Sequence, residues 1–113
     1  MLSKRLLKVA SLVDTEEIID IGCDHALLDI YLTNKGYKCT AIDNKETVLN
    51  ITYNNIKESN LLDKINIVCS NGLDNYKVKG TETVIIAGMG TNTILEILKN
   101  QEFDKINTLI IQS

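Results

Sequence analysis

The sequence contains no proline and no tryptophan, and its six glycines are scattered rather than gathered into a linker. Without a Pro-rich or Gly/Ser-rich break, and with surface enough to cover only one core, residues 1–113 read as a single domain. Cysteine is scarce and badly spaced for a metal: Cys23, Cys39 and Cys69 form no C-x-x-C pair, and His25 is the sole histidine. This argues against zinc and against a disulfide framework. Each cysteine falls in or just after an expected strand, which suits a small buried residue in a reducing cytoplasm. Positive charge is not in excess either. Twelve Lys and Arg against 15 Asp and Glu leave a net charge of -3, so there is no global footprint for nucleic acid. Such a partner requires a local patch or a region outside this sequence. No apolar run approaches the roughly 18 residues needed to cross a bilayer, and a cytoplasmic protein without membrane contact is expected.

What is present is an alternation of periods. Leu2, Leu6, Val9, Ala10 and Val13 recur at helical spacing behind Ser3, a candidate N-cap, with Lys4, Arg5 and Lys8 on the other face. Strands are expected near 17–21, 38–42, 64–69, 83–87 and 109–111, and helices near 25–34, 45–59 and 92–100, with Gly36 closing the first of these three. Strands joined by helical crossovers must run parallel, so the fold class is α/β with helices on the faces of a parallel sheet. "EIIDI", "TVIIA" and "TLIIQ" read as strands apolar on both faces.

Ligands of such sheets gather beyond the carboxyl ends of the strands. Those ends carry Gly22 to His25, Asp43-Asn44, Ser70 to Asp74, Gly88 to Gly90, and Gln112-Ser113. Gly22 lets the chain pass close under a ligand, and Asp43, 21 residues later, stands where an acid accepts hydrogen bonds from a ribose. The plainer alternative is that Gly22 only turns the chain and Asp43 only caps a helix. The second and third glycines of a dinucleotide site are missing, and Asp24 would confront a diphosphate with a carboxylate. A cationic adenosine ligand without phosphate, S-adenosylmethionine, fits these residues better than NAD or FAD.

"LSKRL", "DIGCDHALL", "NGLD", "IAGMG" and "LIIQS" occur in this order from end to end of the chain. Together they resemble the bacterial tRNA (adenine-22-N1)-methyltransferase family, TrmK. The resemblance implies a Rossmann-like, class I methyltransferase that uses S-adenosylmethionine to methylate N1 of an adenine in the D-arm of tRNA. It also implies that the catalytic domain continues past a fifth strand and is followed by a coiled-coil region that assists tRNA binding. The expectation is therefore an incomplete domain, inactive or nearly so alone. Two departures stand out: Asn71 occupies a position where the family commonly has an acid facing the cofactor adenine, and Thr91 follows Gly90 where a further glycine is frequent.

Adenine N1 offers a lone pair and carries no proton, so catalysis rests on placement and on acceptors near the cationic product ring. Asp24 is the leading acceptor, or else a holder of the methionine ammonium, or a plain cap. His25 beside it is a second catalytic candidate with a structural alternative. Gly22, Asp24, Asp43, Asn44, Asn71, Gly72 and Gly88 are the cofactor candidates. Met89 and Gly90 are placed to meet the target base, unless "GMG" is only a tight turn, and Lys4 and Arg5 to meet substrate phosphate, unless they are a solvated face.

Rival readings are a noncatalytic adenosine-binding or protein-interaction module, and a short-chain oxidoreductase. The Tyr-x-x-x-Lys pair Tyr53 and Lys57 falls on a helix away from the strand ends, against the latter. The fifth strand is expected to leave an apolar edge through which copies associate.

Overall fold

A computed structural model describes residues 2–113. Helix α1 (Lys4–Ser11) precedes β1 (Glu17–Ile21), α2 (Leu27–Asn34), β2 (Lys38–Asp43), α3 (Glu46–Glu58), β3 (Ile65–Cys69), β4 (Thr83–Ala87), α4 (Thr91–Leu98) and β5 (Thr108–Gln112). The five strands form one sheet in the order β3-β2-β1-β4-β5, and every pairing is parallel. This is the Rossmann-like arrangement expected from the sequence. The order reverses direction between β1 and β4, the place where a doubly wound sheet opens a crevice beyond its strand ends.

Alternation along the strands divides the core. Ile18, Ala41, Ile85 and Ile110 face one side with Val9, Leu28, Leu32 and Ile56, whereas Ile19, Ile21, Ile42, Val84 and Ile86 face the other with Ile94 and Ile97. α1, α2 and α3 thus cover one face and α4 the other. β-Branched isoleucine suits these central strands, and each fully buried aliphatic side chain contributes about 1.5–3 kcal/mol.

Several boundaries differ from the sequence reading, each for a local reason. Ser3 caps α1 as expected, its Oγ accepting from the Leu6 N–H at 3.2 Å. α2 begins at Leu27 rather than near His25 because Asp24 (φ 53°) and Ala26 (φ 62°) are left-handed and cannot continue a helix. A 3₁₀ turn at Gln101–Lys105 went unread; Asn100 Oδ1 caps it at the Glu102 N–H, and Glu102 Oε1 accepts from the Val78 N–H at 2.9 Å. "TLIIQ" is an edge strand whose two faces differ. Leu109 and Ile111 are exposed and Ile110 is buried. Cys23 and Cys39 are buried as expected, but Cys69 is exposed, since it ends the opposite edge strand β3. "EIIDI" is buried throughout its centre, yet one of its buried residues is the acid Asp20.

Candidate functional site

The carboxyl ends of β1, β2, β3 and β4 surround one cavity of about 630 Å³, a size suited to a small ligand or cofactor. Its floor is the turn after β1. Gly22 has φ 75°, and its N–H and that of Cys23 both donate to the Ile42 carbonyl, at 2.8 and 3.0 Å. A Cβ at Gly22 would overlap Met89 Cε, so the "GMG" turn after β4 closes directly over this glycine.

The glycine repeat that the sequence lacks is present as backbone geometry. Gly22, Asp24 and Ala26 all have positive φ, and two non-glycine residues in that region cost on the order of 1 kcal/mol each or more. Helix α3 offsets that strain. Thr52 Oγ1 donates to the Asp24 carbonyl at 2.6 Å and Asn55 Nδ2 to the His25 carbonyl at 2.9 Å. The sequence signal for these two was faint: polar residues three apart on a helix, one of them, Thr52, fully buried. Asp24 projects outward, with His25 Nε2 3.8 Å from its Oδ1 and both side chains more than half exposed. The pair stands at the rim of the cavity, open to solvent.

Asp43 is half-buried at the end of β2, and its Oδ1 accepts from the Lys45 N–H at 3.0 Å. The capping alternative is therefore satisfied by one oxygen, which leaves the other for a ligand. After β3, Ser70 Oγ donates to the Gly72 carbonyl at 2.8 Å and accepts from the Asn75 N–H at 2.9 Å, folding the loop so that Asn71 and Gly72 reach the cavity. Gly72 (φ 59°) has a second reason to be glycine, since a Cβ there would stand 2.9 Å from Ile97 Cγ2. Arg5 reaches across from α1, its Nη1 donating to Gln112 Oε1 at 2.6 Å. That bond straps α1 over the ends of β4 and β5.

Of the residues singled out in the sequence, Arg5, Gly22, Asp24, His25, Asp43, Asn44, Asn71, Gly72, Gly88 and Met89 line the cavity. Lys4 and Gly90 do not. Lys4 lies exposed on α1, and Gly90 is the cap residue of α4 with open space where its Cβ would be. Asp20, Thr93 and Ile97 also line it and were missed. Among the described residues there is no cluster fit to hold a metal, and no helix is long and apolar enough to cross a membrane.

Three kinds of charged group meet here, and burial separates them. Asp24 is open to solvent and Asp43 half-buried, whereas Asp20 is almost fully enclosed and its carboxyl is pushed up to about 6, by burial first and by the Asp43 and Asp24 charges next. Burial likewise raises the thiol of Cys23 to about 12, which removes it as a nucleophile. The cavity thus presents carboxyl oxygens, backbone at glycine turns, one guanidinium, the Lys45 side chain and the His25 imidazole. Its carboxylates suit hydroxyls and cations, and it offers no glycine-rich cradle to a diphosphate.

The solved structure of M. capricolum TrmK in complex with S-adenosyl-homocysteine is similar to this chain at 42% identity and a TM-score of 0.88, covering 98% of this chain and 51% of that one. The crystal structure of the B. subtilis M1A22 tRNA methyltransferase TrmK matches at 29% identity and a TM-score of 0.87, covering 98% and 50%. A Methanococcus maripaludis protein named "Probable cobalt-precorrin-6B C(15)-methyltransferase (decarboxylating)" is 29% identical over 105 residues, 89% of this chain and 58% of its own length. The chain therefore spans about half the length of the relatives it matches. A family model described as a methyltransferase domain matches residues 2–113, which include every strand end that builds the cavity, and the chain belongs to that methyltransferase family.

Proposed function

We propose that this chain is the cofactor-binding half of an S-adenosylmethionine-dependent tRNA methyltransferase that modifies N1 of an adenine at position 22, in the D-arm. The carrying observation is the pairing of the left-handed Gly22-to-Ala26 turn with an acid at the end of β2, in a cavity that offers a cation carboxylates and offers a phosphate no glycine-rich cradle. The similarity to TrmK structures, one of them holding S-adenosyl-homocysteine, supports the same reading.

In this reading the bound cofactor supplies a methyl group made electrophilic by its sulfonium. Asp43 accepts from the ribose hydroxyls with the oxygen that Lys45 leaves free. Asn71 and Asn44 stand at the adenine end, where the Asn71 amide oxygen accepts from the exocyclic amine in place of a carboxylate. Gly22 admits the chain beneath the cofactor. On the opposite side, the Gly88–Gly90 turn leaves the approach to the methyl group free of side chains other than Met89, whose thioether packs on a flat base. Adenine N1 would attack the methyl carbon in line with its lone pair as the carbon–sulfur bond breaks, the neutral thioether S-adenosylhomocysteine leaving and the ring taking the positive charge. Asp24, with His25 at its side, lies where positive charge accumulates on the methylated ring and stabilises it as an acceptor.

The tRNA contact is the part this chain supports least by itself. Its net charge is -3, and Lys4, Arg5 and Lys8 on α1 neutralise roughly three phosphates at most. Since the relatives are about twice as long, most phosphate contacts belong to the remainder of such a protein. Copies of this chain also associate, in our reading, through the outer edge of β5, where Leu109 and Ile111 are exposed beside unpaired backbone groups.

The test combines labelled S-adenosylmethionine and unmodified tRNA with this chain and with a protein of the relatives' full length. Label at an adenine N1 with the long form, and little with this chain, supports the reading. Label on small molecules but never on tRNA overturns the substrate assignment.

A further inference from the structure

One feature of the site belongs to no motif. Asp29, on the sheet-facing side of α2, is completely buried, and counted as a carboxylate it finds no hydrogen-bond donor for either oxygen. Thr33 Oγ1, one turn along the same helix, is also without a partner. A charge in such a place is strongly disfavoured, so the group is held neutral. The carboxyl group that acts on it is that of Asp20, which is buried at 4% exposure but is one of the residues that line the cavity. Two ionised carboxylates at this contact repel each other. One proton makes the contact attractive, and the more deeply buried group is the one that keeps it.

We propose that Asp29 is a positioning residue for the cofactor site: a neutral carboxylic acid whose O–H donates to Asp20, holding the Asp20 carboxylate ionised and turned toward the cationic amino-acid portion of the cofactor. This rests on the S-adenosylmethionine reading above. The bond to Asp29 favours the ionised form of Asp20, against burial and the nearby charges, which oppose it. The titratable groups that face the pair are Cys39 from β2, Asp43 at the end of β2, and Cys23 and Asp24 from the turn after β1. None of these is cationic. Arg5, Lys45 and His25 line the same cavity, but none of them acts on Asp20: the Arg5 guanidinium is engaged by Gln112, and His25 lies beside Asp24. The ligand's own positive charge is therefore what the Asp20 carboxylate awaits, and protonation of Asp20 weakens cofactor binding.

Calorimetric titration of S-adenosylmethionine from pH 5 to 8.5, with the parent chain, Asp29→Asn and Asp29→Leu, tests this. Parent affinity falls as pH drops through about 6, the range in which Asp20 takes up its proton. Asp29→Asn still donates from its amide, so it keeps affinity at pH 7.5 within about twofold and does not raise the midpoint. Asp29→Leu removes the donor, moves the midpoint upward and weakens binding at pH 7 about tenfold, the worth of a hydrogen bond to a charged group. A purely structural Asp29 lowers stability in both variants and leaves the midpoint alone, and that result overturns the proposal. Should Asp29→Leu fail to fold, carboxyl 13C resonances of the parent decide: Asp29 protonated at pH 7 with Asp20 titrating near 6 supports it, and both titrating in the ordinary carboxylate range overturns it. Absence of S-adenosylmethionine binding at every pH overturns the cofactor reading and this role together, whereas binding with an unshifted midpoint overturns this role alone.

Discussion

Replacing Gly22 with alanine separates two costs that the turn after β1 carries. The first is conformational: φ is 75°, and an L side chain in that region costs about 1–2 kcal/mol. The second is steric, since the new Cβ overlaps Met89 Cε. Met89 is flexible and only its tip is in the way, so it swings aside at a small additional cost. Gly88→Ala isolates the first cost. It has nearly the same φ, 76°, but its Cβ would find only the Arg5 guanidinium, 3.6 Å away. Gly90→Ala is the control, at an ordinary φ with nothing near its Cβ, and is expected within about 1 kcal/mol of the parent. For a domain of this size each kcal/mol lowers Tm by about 4 °C, so thermal unfolding followed by circular dichroism is expected to show Gly88→Ala about 4–8 °C below the parent. Gly22→Ala falls at least as far, and in a Met89→Ala background its cost shrinks to that of Gly88→Ala. A Gly22→Ala protein as stable as the parent would refute the argument that glycine is required there.

Asp43→Ala weakens S-adenosylmethionine binding by about 1.5–3 kcal/mol, read by calorimetry; equal affinity in variant and parent removes Asp43 from the site. Asp20 makes stability depend on pH in a defined sense. Its folded value, about 6, lies above the ordinary value of 3.8, so its contribution is intact below about pH 4 and is lost as pH rises through 6, by on the order of 3 kcal/mol. Urea denaturation at pH 4 and pH 7 is expected to show Asp20→Asn gaining on the parent by about that amount, and parallel curves contradict it. Self-association through β5 is reduced by Ile111→Lys, an exposed position, with little loss of stability. A charge at the buried Ile110 instead damages the core, and light scattering distinguishes the two.

Most of the fold was legible because the parallel strands are runs of β-branched residues at regular intervals, as at Ile18-Ile19 and Val84-Ile85-Ile86. The cavity was legible because ligand sites of such sheets follow from topology alone, and ten of the twelve residues singled out line it. What escaped was tertiary. Nothing local to Thr52 or Asn55 announces that they hold the Asp24 and His25 carbonyls of a turn nearly 30 residues earlier. The left-handed backbone at Asp24 and Ala26 was hidden for the same reason, since its strain is tolerated only through those distant contacts. Asp20 and Asp29 were hidden in plain view as acids within apolar stretches, an inconsistency of local pattern that marks a functional or strained position. The unequal faces of "TLIIQ" escaped because an edge strand shows its two faces to different surroundings, which a uniform apolar run does not reveal.

The central claim is that the cavity at the strand ends takes S-adenosylmethionine rather than a dinucleotide. Its most direct test is a calorimetric comparison of S-adenosylmethionine, S-adenosylhomocysteine and NAD on this chain at pH 7.5. The account predicts saturable one-to-one binding of the first two, abolished or strongly weakened in Asp43→Ala, and NAD weaker by at least an order of magnitude. NAD binding as tightly as S-adenosylmethionine, or neither binding while the chain is folded, would contradict it.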